Sequence, residues 1–219
     1  MQAALSQDTG SLADQAYDLV ERMIVTLELN PGSVFSENDL SERIGIGRTP
    51  LREALQRLAG DRLLVALPRR GMMVTDINVT EYLALLETRR VLDRLIVARA
   101  AKRCSEEKRN ELRRCAEELR GAAAREDLDA FMRLDRACDE ILEAAAHNPF
   151  AVRAVAPLHA HCRRFWSMYR HSSDLGRSAE LHARLLDAVA DGDEKVAESA
   201  SDCLIDYLKR FTREALELL

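Results

Sequence analysis

The 219-residue chain is predicted to be mainly α-helical. An N-terminal winged helix-turn-helix with a small β-hairpin wing precedes a C-terminal antiparallel bundle of about six or seven helices. Three observations carry this expectation. Residues 36–71 place two short amphipathic helices around a glycine turn and follow them with a basic hairpin. From residue 78 onward apolar residues recur at helical spacing. Five prolines, nine glycines and few aromatics leave long stretches of good helix formers. The expected divisions are a disordered tail over 1–10, a winged helix-turn-helix domain over 11–77 and a helical domain over 78–219.

In the first helix, expected over 12–29, Ala16, Leu19, Val20, Met23, Ile24 and Leu27 form one face, and Asn30-Pro31-Gly32 ends it. It should brace the two helices that follow. Ser36 is a natural N-cap for the next, with Glu37 and Asp39 in its first turn, Leu40 and Ile44 on one face and Gly45 as its stop. After Gly45-Ile46-Gly47, Thr49 can cap a second helix with Pro50 at its first position, where a missing N–H costs nothing. Leu51, Leu55 and Leu58 would be its buried stripe; Arg48, Arg52 and Gln56 lie opposite and face outward. A strand over 63–67, a turn over 68–71 and a return strand over 72–74 complete the wing. The wing would carry Arg69 and Arg70 to a DNA backbone or minor groove.

These residue types suit nucleic-acid reading. An arginine fork can donate two hydrogen bonds to guanine O6 and N7, discriminating by about 1–3 kcal/mol. Thr49 and the N–H groups of a helix start suit phosphate. The whole chain is acidic, with formal net charge −5, which argues against indiscriminate coating of nucleic acid. Between residues 43 and 71, however, seven arginines face only Glu53 and Asp61, so positive charge is focused as site-specific binding requires. The same helical pattern also fits a small three-helix module whose arginines only solvate its surface; the wing favours the DNA reader.

Beyond the wing, Asn78 or Thr80 can cap a long helix running to about Cys104, with Leu83, Leu86, Val91, Leu95, Ala98 and Ala101 inward. Breaks at Ser105, 121–126, Asn148-Pro149, 172–178 and 191–193 divide the rest into five further helices. No run reaches about 18 apolar residues and the first residues lack a basic-then-apolar leader, so membrane insertion and secretion are not expected. The five cysteines are odd in number and without CxxC spacing, consistent with reduced thiols in a cytoplasmic protein, most of them small buried hydrophobes.

With these residues in view, the first third of the chain resembles the GntR superfamily of bacterial repressors. Its marks are Pro31-Gly32, the trio Ser36, Glu37 and Leu40, the run RTPLREAL over 48–55, Leu55 with Leu58, and RRG over 69–71. The resemblance places DNA contacts on Arg48, Thr49, Arg52 and the wing glycine Gly71. A further basic position of the family is Asn38 here, a departure that removes one charge from the expected interface. The pieces TRRVLD (88–93), LDRACDEILEAAAHNP (134–149) and ELHARLLDAVADGD (180–193) resemble, in order, the FCD effector domain of the FadR subfamily. That resemblance implies a homodimer whose helical domain encloses a cavity for a small acidic metabolite.

Many relatives hold a divalent metal in that cavity. The corresponding positions here are Asp135, Asp139, His182 and Leu204: an aspartate replaces one imidazole and a hydrocarbon the other. Asp135, Asp139 and His182 are therefore expected to be a degenerate remnant that contributes to effector binding without a metal cofactor, and His182 reads better as a satisfied polar residue than as a ligand. Arg89 holds the effector-facing arginine position, where its fork could clamp a carboxylate. His159, His161, Arg163, Arg164, Trp166 and Tyr169 crowd one helix and could line the same cavity, with Arg163 as a further effector contact, or could form a dimer or solvent face. Asn148-Pro149 ends one helix and starts the next.

The expected function is sequence-specific binding to palindromic double-stranded operator DNA, usually for repression, modulated by a small organic acid. A DNA-binding protein with a vestigial effector pocket is the alternative. A metal-dependent helical-bundle enzyme is disfavoured because neither repeated Glu-x-x-His motifs nor HExxH, nor a nucleophile elbow or phosphate-cradling glycine loop, is present.

Overall fold

A computed structural model describes residues 10–169 and 174–217. The expected tail over 1–10 lies outside the described residues except for Gly10, as does part of the expected break over 172–178. The chain divides into two compact units, the first comprising the residues up to Ile77 together with Ala160–Met168, the second Asn78–His159 and the residues from Tyr169 onward.

In the first unit, α1 (Leu12–Val25) opens with a reciprocal capping box between Ser11 and Asp14 and buries Ala16, Val20, Met23 and Ile24. It stops earlier than the periodicity suggests, because Thr26 caps it and Leu27 turns to a positive φ of 63°. Next, α2 (Glu37–Ile44) begins at Ser36, whose Oγ accepts from the Asp39 N–H at 3.1 Å, and ends at Gly45 in the left-handed conformation. Helix α3 (Arg48–Gly60) starts earlier than expected. Extended Gly47, not Thr49, is its N-cap, and no side chain supplies the cap hydrogen bond. Pro50 sits in the first turn, where its absent N–H has no intrahelical partner to lose. Both α1 and α2 pack on α3.

The expected hairpin is present as β2 (Leu64–Leu67) and β3 (Gly71–Val74), paired antiparallel with Val65 opposite Met73 and Leu67 opposite Gly71. A strand not foreseen, β1 (Val34–Phe35), pairs with the other edge of β3, giving the order β1-β3-β2. Two residues are too few to show an alternation pattern. This third strand explains Gly71. Its φ is +97°, and a Cβ there would stand 2.3 Å from the Phe35 carbonyl oxygen, so only glycine permits the approach of β1.

The second unit contains six helices among the described residues: α4 (Val79–Arg103), α5 (Glu106–Ala124), α6 (Leu128–Ala146), the first part of α7 (Pro149–Tyr169), α8 (Leu175–Asp191) and α9 (Glu194–Glu217). Asn78 caps α4 by accepting from Thr80 and Glu81 N–H groups, Ser105 caps α5, and Gly192 closes α8 in the left-handed conformation. Helix α4 packs on α6 and α9, and α5 on α6 and α8. Arg109 ties the end of α8 to α4 by donating to Ala190 O at 2.6 Å and Ala101 O at 3.0 Å.

The inward face of α4 differs from the expectation. Leu86 and Ala101 are buried, but so are Tyr82, Arg89, Asp93, Ile96 and Val97, while Val91 is 70% and Leu95 40% exposed. The buried stripe is rotated because the helix takes an ion pair inward and leaves two aliphatic side chains outside. Four cysteines are buried free thiols and Cys203 is exposed. Among the described residues no helix is long and apolar enough to cross a membrane.

Candidate functional site

The outward face of α3 is built by its periodicity. Leu51, Ala54, Leu55 and Leu58 are buried, which turns Arg48, Thr49, Arg52 and Gln56 to the surface, all four of them exposed. Asn38 is exposed on α2. At the wing tip Arg69 takes a left-handed φ of 63° and Arg70 N–H closes the turn on Leu67 O at 3.0 Å, leaving both arginines exposed.

Not every arginine of this segment is equally available to an anion. Arg57 pairs with Asp14 at 2.7 Å and lies over the Tyr17 ring at 4.4 Å, and Arg43 pairs with Glu28. The first links α1 to α3, and the second ties α2 to the segment that follows α1. Arg52 is joined to Glu37, its Nε and Nη2 donating to Oε2 at 3.0 and 2.8 Å.

The first unit also receives the C-terminal part of α7. His161 Nε2 lies 2.9 Å from the Asp61 carbonyl, and burial pushes its pKa down. Arg164 is 1% exposed, donates to Thr75 Oγ1 at 3.1 Å and to the Thr75 carbonyl, and is lowered to about 10 by burial. Arg163 lies 3.9 Å from Glu21 of α1. The polar residues that crowd α7 fall in both units. His161, Arg163 and Arg164 belong to the unit of the head, and His159 to the helical unit.

In the helical unit the polar centre gathers around His159. Arg89 donates from Nε to Asp93 Oδ2 at 3.0 Å, and its Nη2 stands 2.9 Å from the same oxygen, both side chains being buried. The other Asp93 oxygen is 3.1 Å from His159 Nε2, while His159 Nδ1 lies 3.1 Å from Asp139 and 3.3 Å from Glu143. Burial would lower the His159 pKa, but Asp139 and Asp93 outweigh it and hold it well above the usual value. Asp93 is held low in turn: burial opposes its charge, and Arg89 and His159 overcome that.

Separately, His182 Nδ1 meets the Ser178 carbonyl at 2.8 Å and Nε2 stands 3.0 Å from Asp135. Burial works against its charged form and Asp135 raises its pKa above the ordinary value. The Phe131 ring stands edge-on to it. Asp93, Glu143 and the central place of His159 were not singled out from the sequence, although Arg89 with Asp93 and Asp139 with Glu143 both show the i,i+4 spacing that puts two side chains on one helical face.

A divalent metal does not fit this donor set. Asp139 is directed to His159, Leu204 is buried hydrocarbon, and among the described residues no group of three or more His, Cys, Asp or Glu is arranged to hold an ion.

Comparison with known proteins agrees with both halves. The model of bacterial regulatory proteins of the gntR family matches residues 12–74, and the FCD domain model matches residues 84–207. The chain is 30% identical over 191 residues, 84% of its length, to an uncharacterized HTH-type transcriptional regulator in an unstable DNA locus of Streptomyces ambofaciens, covering 78% of that protein. It is 28% identical over 193 residues to the HTH-type transcriptional repressor RspR of Escherichia coli K12, covering 88% of this chain and 85% of RspR. The E. coli McbR/YncC structure shares the fold with a TM-score of 0.82 at 19% identity, over 96% of this chain and all of the other. A winged helix-turn-helix with an outward basic α3, followed by a six-helix FCD domain, makes this chain a member of the GntR family of DNA-binding transcriptional regulators.

Proposed function

We propose that the protein is a homodimeric repressor that reads a short palindrome with Arg48, Thr49, Arg52 and Gln56 of α3, and that a small acidic metabolite bound in the helical domain weakens this grip. The observation that carries the DNA half is the outward N-terminal face of α3, four long or hydroxylated donors over a fully apolar inner stripe. Arg69, Arg70 and Gly71 of the wing and Asn38 of α2 complete the contact surface, the arginines supplying phosphate or minor-groove contacts. A symmetric dimer would match a palindrome, and the exposed Val91 and Leu95 of α4 are suited to an apolar subunit contact.

For the effector half, Arg89 is the anion-binding candidate, with Asp135, Asp139, His182 and His159 as further candidates on the helical domain. An incoming carboxylate competes with Asp93 for the guanidinium, so binding redistributes an existing buried ion network. Arg163, whose Nη2 stands 3.9 Å from Glu21, is a further candidate contact. Release requires the metabolite to bind two dimer geometries unequally, and a coupling of about 1–3 kcal/mol is enough. A vestigial pocket is the second reading, favoured by the internal pairing of Arg89 with Asp93, His159 with three carboxylates, and His182 with Asp135.

Selection of duplexes from a random pool by the full-length protein, followed by a thermal-shift screen of small organic acids, tests both halves. An inverted repeat and an acid that raises the melting temperature while lowering duplex affinity are expected. Sequence-independent recovery of duplexes contradicts the DNA half. Failure of every acid to shift the melting temperature favours the vestigial pocket.

A further inference from the structure

Glu37 and Arg52 are joined in a way that selects which edge of the arginine faces outward. A guanidinium has two edges able to present paired N–H groups, the side edge formed by Nε with one Nη and the end edge formed by both Nη. In Arg52 the side edge is taken: Nε and Nη2 both donate to Glu37 Oε2, at 3.0 and 2.8 Å. The end edge keeps one hydrogen on Nη1 and one on Nη2. Glu37 is a firm partner, since it is the first residue of α2, directly after its N-cap Ser36, where the helix start favours a carboxylate. Arg52 itself is largely exposed, its side chain retaining 62% of its accessible surface against 30% for Glu37.

We propose that Glu37 is a positioning residue for DNA reading, clamping the side edge of Arg52 so that the end edge meets a base in one orientation. The inference rests on the reading of α3 as the DNA-contacting helix. Its physical basis is preorganisation: an arginine already held by its neighbour loses less side-chain freedom when it docks. Charge alone argues the opposite way. A carboxylate on a surface facing a polyanion opposes binding, so its removal should tighten every complex, specific or not. Positioning and charge therefore differ in sign.

The test uses full-length protein, the duplex that the wild-type chain selects from a random pool and a shuffled duplex of the same composition. Glu37→Ala is expected to weaken the selected duplex about tenfold while leaving the shuffled duplex unchanged or tighter. Glu37→Gln, whose amide oxygen still accepts a hydrogen bond, should retain more of the specific affinity and also serves if the alanine variant folds poorly. In the Glu37→Ala/Arg52→Ala double variant the loss should match that of Arg52→Ala alone, since the two residues act as a unit. Equal or tighter binding of the selected duplex by both Glu37 variants, or additive losses in the double variant, would overturn the proposal. If the wild-type chain enriched no sequence, the reading of α3 would fall first and the proposal with it.

Discussion

Arg89 and Asp93, one turn apart on α4, form a buried pair in which Nε and Nη2 of the guanidinium both approach a single carboxylate oxygen, at 3.0 and 2.9 Å. Each charge helps to offset the cost of burying the other. Asp93→Ala should therefore take a buried counter-charge from the guanidinium and cost about 3–5 kcal/mol. Replacing both residues by apolar ones of similar size, Arg89→Met with Asp93→Leu, should cost much less. Urea unfolding of the two variants beside the wild-type chain measures the difference.

His159 gives the helical domain a pH dependence with a definite sign. It is faced by Asp93 and Arg89 from α4 and by Asp139 and Glu143 from α6. Its folded pKa is raised well above the unfolded value of 6.5. The stabilisation is therefore fully present below that value and is lost as pH rises through the folded pKa. Unfolding midpoints are expected to fall from neutral pH upward, and the fall should be smaller in His159→Gln. Identical slopes in the two proteins would remove His159 as its source.

Gly71→Ala should destabilise the head by about 1–3 kcal/mol, because the added Cβ meets the Phe35 carbonyl at 2.3 Å in a backbone with φ +97°. Thermal unfolding reports the loss. The same measurement on Gly60→Ala, where a Cβ meets nothing within 4 Å, provides the contrast.

Arg69 and Arg70 at the wing tip should act through charge. Either arginine changed to alanine is expected to weaken selected and shuffled duplexes alike and to reduce the slope of log affinity against log salt by about one. A salt titration by fluorescence anisotropy checks this.

Much of the architecture was legible because local signals and global fold agree. Ser36, Gly45, Asn78, Ser105 and Gly192 punctuate helices in chemically transparent ways. What escaped were features set by tertiary context. Strand β1 is too short to show a period, α3 took Gly47 as its cap through backbone geometry alone, and α4 buried Arg89 and Asp93 where periodicity favoured Val91 and Leu95. The exposed polar face of α3 followed from that helix's own periodicity. The polar centre did not, because His159 meets its partners only when α4 and α6 are packed around it.

The most direct test is the affinity of Arg52→Ala for the duplex selected by the wild-type chain, measured beside a shuffled duplex at fixed salt. A loss of about 1–3 kcal/mol on the selected duplex, with relaxed base preference at one position per half-site and little change on the shuffled one, is the expected result. Undiminished affinity and unchanged base preference would contradict the assignment of α3 as the reading helix.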